Sequence, residues 1–417
     1  ITRAVAGFVP PPRKATLGRF LDGDGSVIDE GLIIYFRAPN SFTGEDTVEF
    51  QGHGGPVVMD LLMQRLLALG ARVARPGEFS ERAFLNGKLD LVQAEAVADL
   101  IEATTAEAAR SAVRSLDGEF SRRINAVVGM LTNLRMYVEA AIDFPEEEVD
   151  FLAEPKISED ILSIKSSIDM IKQGARAGVL LREGMHLVIA GRPNAGKSSL
   201  LNALAERESA IVTQVPGTTR DVLRERIQID GMPVHLVDTA GLRDTGDVVE
   251  REGIRRAKAE IGRADLLLWV FDSREINAGA DIVNAGLPPD VPVALVRNKI
   301  DLSANNAGLG TLNGYTVVAL SAKTGEGMDQ LREYLKSRMG YEGPREGTFT
   351  ARRRHLDAIG RAEAAIDSAE KALIDARAGE LMAEDLRTAQ NALSEITGAF
   401  TADDLLGRIF SSFCIGK

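Results

Sequence analysis

"HLVIAGRPNAGKSSLLNAL", residues 186–204, passes from an apolar run through a Gly-rich turn into a helical stretch. Gly191, Gly196, Lys197 and Ser198 fit the spacing G-x-x-x-x-G-K-[ST]. Glycines at those places let backbone N–H groups come close to phosphate oxygens. Lys197 neutralises the terminal phosphates, and Ser198 offers a hydroxyl to Mg²⁺ at a helix N-terminus. Asn194, Ala195 and Ser199 complete the loop. Strand, loop and helix in this order predict a parallel sheet with helices on both faces.

"VHLVDTAG", "DLLLWVFD", "VPVALVRNK" and "TVVALSAK" are further apolar runs that read as buried parallel strands joined by crossover helices. Three more elements follow in the order expected of a GTPase. "PGTTRD" (216–221) carries Thr218 and Thr219, the latter a second hydroxyl for Mg²⁺. "DTAG" (238–241) gives Asp238 for Mg²⁺ through water, Thr239 and Ala240, and a Gly241 N–H facing the terminal phosphate. "NKID" (298–301) provides Asn298, Lys299 and Asp301. A carboxylate there accepts both the ring N–H and the exocyclic amine of guanine, whereas adenine would leave it unpaired. "SAK" (Ser321, Ala322, Lys323) closes the base pocket. The four elements together predict GTP as substrate, with Lys197 among the catalytic groups.

The flanks are different. Residues 1–86 mix short β-rich runs ("GLIIYF", "TVEF") with Gly-rich turns and one apolar helix, an α+β pattern that opens mid-domain. From Lys88 the pattern is helical. "DLVQAEAVADLIEA" begins at an N-cap, Asp90, with Leu91, Ala94, Val97, Ala98 and Ile101 on one face. Thr104 and Glu107 give a capping-box signal for the next helix. After the Gly/Pro-rich "GYEGPREG" the helical pattern resumes to the end. The expected organisation is multidomain: an α+β domain (1–86), a helical domain in two parts (87–184 and 341–417), and an inserted Ras-like GTPase domain (185–340). Insertion into a surface loop is tolerated because the ends of a compact domain often lie close together.

Composition limits the partners. The net charge of −12 opposes a broad electrostatic grip on nucleic acid, so an RNA contact needs a local patch such as "RRRH" (352–355) or a partner. The bland reading of that run is a solvated helix start. One cysteine, Cys414, rules out an internal disulfide framework and suits a reducing, cytoplasmic setting. No apolar run is long enough for a membrane span.

"GRPNAGKSSLLNAL", "IVTQVPGTTRDVLRE", "DTAGLRDT…VVEREGI", "NSFTGED…QGHGGP" and the terminal "GRIFSSFCIGK" closely resemble the MnmE (TrmE) family of tRNA-modification GTPases. The resemblance runs along the whole chain. It implies a homodimer built by a folate-binding N-terminal domain, working with the FAD-containing flavoprotein MnmG (GidA) as a heterotetramer. The pair would add a carboxymethylaminomethyl or aminomethyl group at C5 of the tRNA wobble uridine. The one-carbon unit would come from 5-formyl- or methylene-tetrahydrofolate.

One position makes hydrolysis a puzzle. Leu242 stands where Ras-like proteins keep the glutamine that orients water, and it has no hydrogen-bonding group. Stabilisation must come from elsewhere; an added cation would act like an arginine finger, and the Asn194 amide oxygen could help hold it. The resemblance implies K⁺, held by Asn194, the backbone oxygens of Thr213 and Val215, and the Thr218 side chain. It also implies that Glu250 in "VVER" positions the water through a bridging water. From the residue alone, Glu250 is a charge on a solvated helix.

For folate, the resemblance carries over Glu49, Lys88 and Lys417, while the family's early arginine matches nothing here. Glu49 could accept hydrogen bonds from a pterin; its bland reading is an edge-strand charge. A catalytic role for Cys414 is implied only by its place in the family tail. His53 in "QGHGG" reads as a turn-shaping residue. The alternative is a switch GTPase in ribosome assembly or signalling with no modification chemistry of its own.

Overall fold

Short β-branched and aromatic runs at the front of the chain pair as strands, and the longer periodic stretches behind them fold as helices. The computed structural model describes residues 1–143, 155–207, 224–238, 261–275, 291–341, 347–373, 378–399 and 409. They divide into two compact units, one of residues 1–98, 115–164 and 361–417, the other of 99–114 and 165–360.

In the first unit, α1 (Thr2–Ala6) precedes three strands, β1 (Thr16–Leu21), β2 (Val27–Phe36) and β3 (Thr47–Gln51). The strands form an antiparallel sheet in the order β1-β2-β3. Phe20 and Ile33 are fully buried with Val5 and with Leu62 of α2 (Pro56–Ala68), and Phe20 meets Phe50 edge-on at 5.4 Å. Such pairs add about 0.5–1.5 kcal/mol beyond the area they bury. A third helix, α3 (Glu78–Leu85), follows. The front region thus holds three helices where the periodicity suggested one. At five and eight residues, α1 and α3 are too short to show a helical period.

Next come α4 (Leu91–Glu102), α5 (Ala106–Leu116), α6 (Glu119–Asp143) and α7 (Pro155–Glu183). Asp90 caps α4 as expected. Its carboxylate accepts from Gln93 N at 2.9 Å, while Gln93 Oε1 accepts from Asp90 N at 3.0 Å. The helix is buried on more than one face: Val92, Glu95, Ala96 and Asp99 are as inaccessible as Leu91, Ala94 and Ala98, whereas Ile101 is exposed. The cap of α5 is Thr105, whose hydroxyl accepts from Ala108 N at 3.1 Å. Thr104 is one residue early, and Glu107 pairs with Arg110 instead.

The second unit contains a seven-stranded sheet. Its elements are β4 (Met185–Gly191), α8 (Lys197–Arg207), β5 (Arg224–Ile229), β6 (Met232–Asp238), β7 (Leu266–Asp272), β8 (Val293–Asn298), β9 (Gly308–Leu312), β10 (Tyr315–Ala319) and α9 (Met328–Met339). The strand order is β5-β6-β4-β7-β8-β10-β9. The five central strands are parallel, as the apolar runs predicted, and the two edges are antiparallel. The edge strands "RERIQI" and "GLGTL" are too polar or Gly-rich to register as apolar runs.

Two further helices are described, α10 (Arg353–Lys371) and α11 (Gly379–Thr397), the latter packing along α6 with Arg135 donating to Gln390 Oε1 at 2.7 Å. Within the second unit, the residues leading into β4 and those following α9 meet on one acid. Arg182 Nε and Arg352 Nη2 both donate to Asp99 Oδ1, at 2.7 and 2.8 Å. Arg353 adds a bond to Glu183 at 2.9 Å, and His355 is buried. "RRRH" does open α10, with Arg353 largely exposed as a helix start allows, but it is not a free basic patch: Arg352 and Arg353 are each held by an acid. Among the described residues no helix is long and apolar enough to cross a membrane.

Candidate functional site

The sheet gathers the chemistry at one edge. From β4 the chain continues to β6 on one side and to β7 on the other, the topological switch point at which α/β sheets bind ligands. Gly191, Asp238, Asp272 and Asn298 each end a parallel strand on that edge, and Asp272 lies in register with Asn298.

The loop 191–196 owes its shape to close backbone approach. Gly191 has φ +144°, and a Cβ there would sit 2.1 Å from Val270 O. Gly196 has φ +91°, and its Cβ would meet Asn298 Nδ2 at 2.3 Å. Asn194 takes φ +59°, a left-handed conformation that Asn tolerates better than most residues. Lys197 is buried, its ammonium donating to Gly191 O at 3.2 Å and Arg192 O at 2.9 Å. That curls the side chain back over the loop. Ala195 is buried, and Ser198 and Ser199 are exposed in the first turn of α8.

Asn298 is only 2 % exposed and joins three segments. Its amide nitrogen donates to Ala195 O at 3.0 Å, and its Oδ1 accepts from Lys299 N at 2.8 Å and Ala322 N at 3.0 Å. The phosphate loop, "NKID" and "SAK" are thus tied together by one side chain. Lys299, at φ +64°, donates to Asn194 O at 2.6 Å and to Asp272 Oδ2 at 2.9 Å. Ser321 is buried and donates to Asp301 Oδ1 at 2.7 Å, fixing the carboxylate beside Ala322 and the exposed Lys323.

Asp272 and Arg274 were not among the residues singled out from sequence. Arg274 holds the Asp272 carboxylate from both oxygens, at 2.9 and 2.8 Å. With Lys299 it keeps that acid well below the usual carboxylate range. The signal was available: an acid closing the otherwise apolar "LLLWVFD", at the edge where the motifs converge.

In the first unit, Glu49 lies exposed on β3 opposite Ile34, accepting from Gln51 Nε2 at 3.1 Å. Lys88 donates to Pro39 O at 3.1 Å. His53 binds Asp29 through both its backbone N–H and Nδ1, each at 2.8 Å, as a turn-shaping residue does. Thr213, Val215, Thr218, Thr219, Thr239, Ala240, Gly241, Leu242, Glu250, Cys414 and Lys417 lie outside the described residues, as does the side chain of Asp238.

Comparison with known proteins decides the family. A family model described as the MnmE helical domain matches residues 91–414, and one described as the GTP-binding protein TrmE N-terminus matches residues 2–88. The chain belongs to the MnmE/TrmE family of tRNA-modification GTPases. Among solved structures it is similar to the G domain of the T. maritima FeoB iron transporter, at 27% identity over 37% of this chain and 98% of that one (TM-score 0.29). It is also similar to an Aquifex aeolicus Era bound to GDP·AlF4⁻, at 25% identity over 43% of this chain and 66% of that one (TM-score 0.28). A third is the FeoB G domain from Methanococcus jannaschii, at 22% identity over 37% and 98% (TM-score 0.28). As an MnmE/TrmE member the protein binds and hydrolyses GTP, with Mg²⁺ as the general companion of that chemistry.

Proposed function

We propose that the protein is a K⁺-activated GTP hydrolase that works as a homodimer with an FAD-containing MnmG-type partner in the cytoplasm. Together they would install a carboxymethylaminomethyl or aminomethyl group at C5 of the wobble uridine of tRNA. The one-carbon unit would come from a tetrahydrofolate bound near Glu49, Lys88 and Lys417.

The observation that carries the K⁺ reading is Asn194. Its carbonyl is taken by Lys299 while its side chain is exposed, in a chain whose Leu242 cannot orient water. A side-chain amide oxygen is a suitable hard donor for a monovalent cation, with Thr213, Val215 and Thr218 supplying the others. The exposed Ser198 hydroxyl at the start of α8 and the Thr219 hydroxyl are likewise suited to Mg²⁺. Both ions would supply positive charge where the leaving oxygen becomes negative. The remaining work falls to this chain. Lys197 binds phosphate oxygens, Asp301 and Ala322 orient guanine, and Glu250 positions the attacking water.

The test is GTP turnover in KCl against NaCl at equal ionic strength. Turnover should fall steeply in Na⁺; equal rates would refute K⁺ activation. Glu250→Ala should lower kcat with GTP affinity almost unchanged, and a matching loss of affinity would make the residue structural. Equilibrium binding of 5-formyltetrahydrofolate to the full chain, weakened by Glu49→Ala or Lys88→Ala, tests the folate site. No detectable binding would remove it.

A further inference from the structure

We propose that Asp272 is a positioning residue for the nucleotide site, acting through Lys299, and that Arg274 holds Asp272 in place to do so. The Asp272 side chain is 10% exposed, and its carboxylate receives four donors. Arg274 supplies three of them, from Nε at 2.9 Å, Nη2 at 2.8 Å and its backbone N–H at 3.1 Å. The fourth is Lys299 Nζ at 2.9 Å. A two-oxygen carboxylate has about four lone-pair positions, so its orientation is fixed by these bonds.

The consequence lies in what Lys299 does next. A lysine side chain is flexible and its ammonium is a point charge, so unanchored it would sample many positions. Anchored on Asp272, the same ammonium reaches Asn194 O at 2.6 Å and holds the left-handed Asn194 peptide of the phosphate loop. One acid at the end of β7 thus fixes the lysine of "NKID" and, through it, the backbone of the loop at the end of β4. Asn298 makes the other tie between these segments. The Asp272 link differs in being ionic and in having an exposed external clamp, Arg274, whose side chain is 59% accessible.

The inference rests on this being the GTP site, and the experiment separates the two. Dissociation of methylanthraniloyl-GDP from the full chain is followed by stopped flow for wild type, Asp272→Asn, Lys299→Met and the double variant. Loss of one charge-assisted bond predicts roughly tenfold to a hundredfold faster dissociation for Asp272→Asn. Because Asp272 acts through Lys299, adding Asp272→Asn to Lys299→Met should change the rate little further. Full additivity, or an unchanged rate in Asp272→Asn, would overturn the proposal. Arg274→Gln changes a side chain that is itself largely exposed and leaves the Arg274 backbone N–H and Lys299 on Asp272; it should speed dissociation roughly threefold, in protein that thermal melting shows to be folded at the assay temperature. An unaltered rate in Arg274→Gln would remove Arg274 from the proposal. Wild-type protein that failed to bind the probe would instead defeat the assignment of the site.

Discussion

Replacing Asp99 by alanine should loosen the second unit at the point where the chain enters and leaves the GTPase sheet. Asp99 is 4% exposed in its side chain and accepts from Arg182 at 2.7 Å and Arg352 at 2.8 Å. Each charge-assisted bond contributes about 1.5–3 kcal/mol. The arginines retain 26% and 15% of their side-chain exposure, and Arg182 has Glu183 at 3.6 Å as a second acid. Water and Glu183 therefore recover part of the loss, which places the cost near 3 kcal/mol, the low end for breaking a buried pair. For a unit of roughly 200 residues this corresponds to a fall in Tm of roughly 6–12 °C. Asp99→Asn keeps the hydrogen-bonding shape without the charge and should fall about half as far. The single tryptophan, Trp269, lies in β7, so its fluorescence reports melting of this sheet. A Tm within about 2 °C of wild type in Asp99→Ala would refute the reasoning, since water would then be replacing both bonds at almost no cost.

Two further outcomes follow from geometry. Gly196→Ala would force a left-handed alanine against Asn298 Nδ2 at 2.3 Å; strain of about 1–3 kcal/mol should weaken GDP binding about fivefold or more, measured by fluorescent-nucleotide titration, and unaltered affinity would contradict the tight loop. In the first unit, the Arg72 guanidinium and then the Arg75 N–H hold the Glu78 carboxyl at about 2, against an ordinary 4.5. The folded form binds that proton less readily than the unfolded one, so the stabilisation is complete above pH 4.5 and is lost as pH falls from there towards 2. The urea midpoint should drop across that window and do so less steeply in Glu78→Gln; identical slopes would deny Glu78 a part.

Much of the molecule was legible in the chain because local rules suffice for it. Gly191, Gly196, Lys197 and Ser198 announce a phosphate loop by spacing alone, since only glycine permits those backbone approaches. The apolar runs around Leu187, Leu236, Leu268, Leu295 and Val318 declare parallel strands because both faces are covered. The Asp90 cap was readable for the same reason: Gln93 is three residues away, within one turn. Other features depend on partners distant in sequence. Glu95 and Asp99 lie buried although helical periodicity would set charges outside. For Asp99 the balance comes from Arg182 and Arg352, which lie 83 and 253 residues further along. Only tertiary structure could show that "RRRH" is tied to acids, or that Asp272 meets Lys299. Motifs of spacing are encoded within a turn or a loop, where the chain itself sets the distance. Burial of a charge depends on which other segment arrives to satisfy it, and that is decided when the sheet and helices assemble.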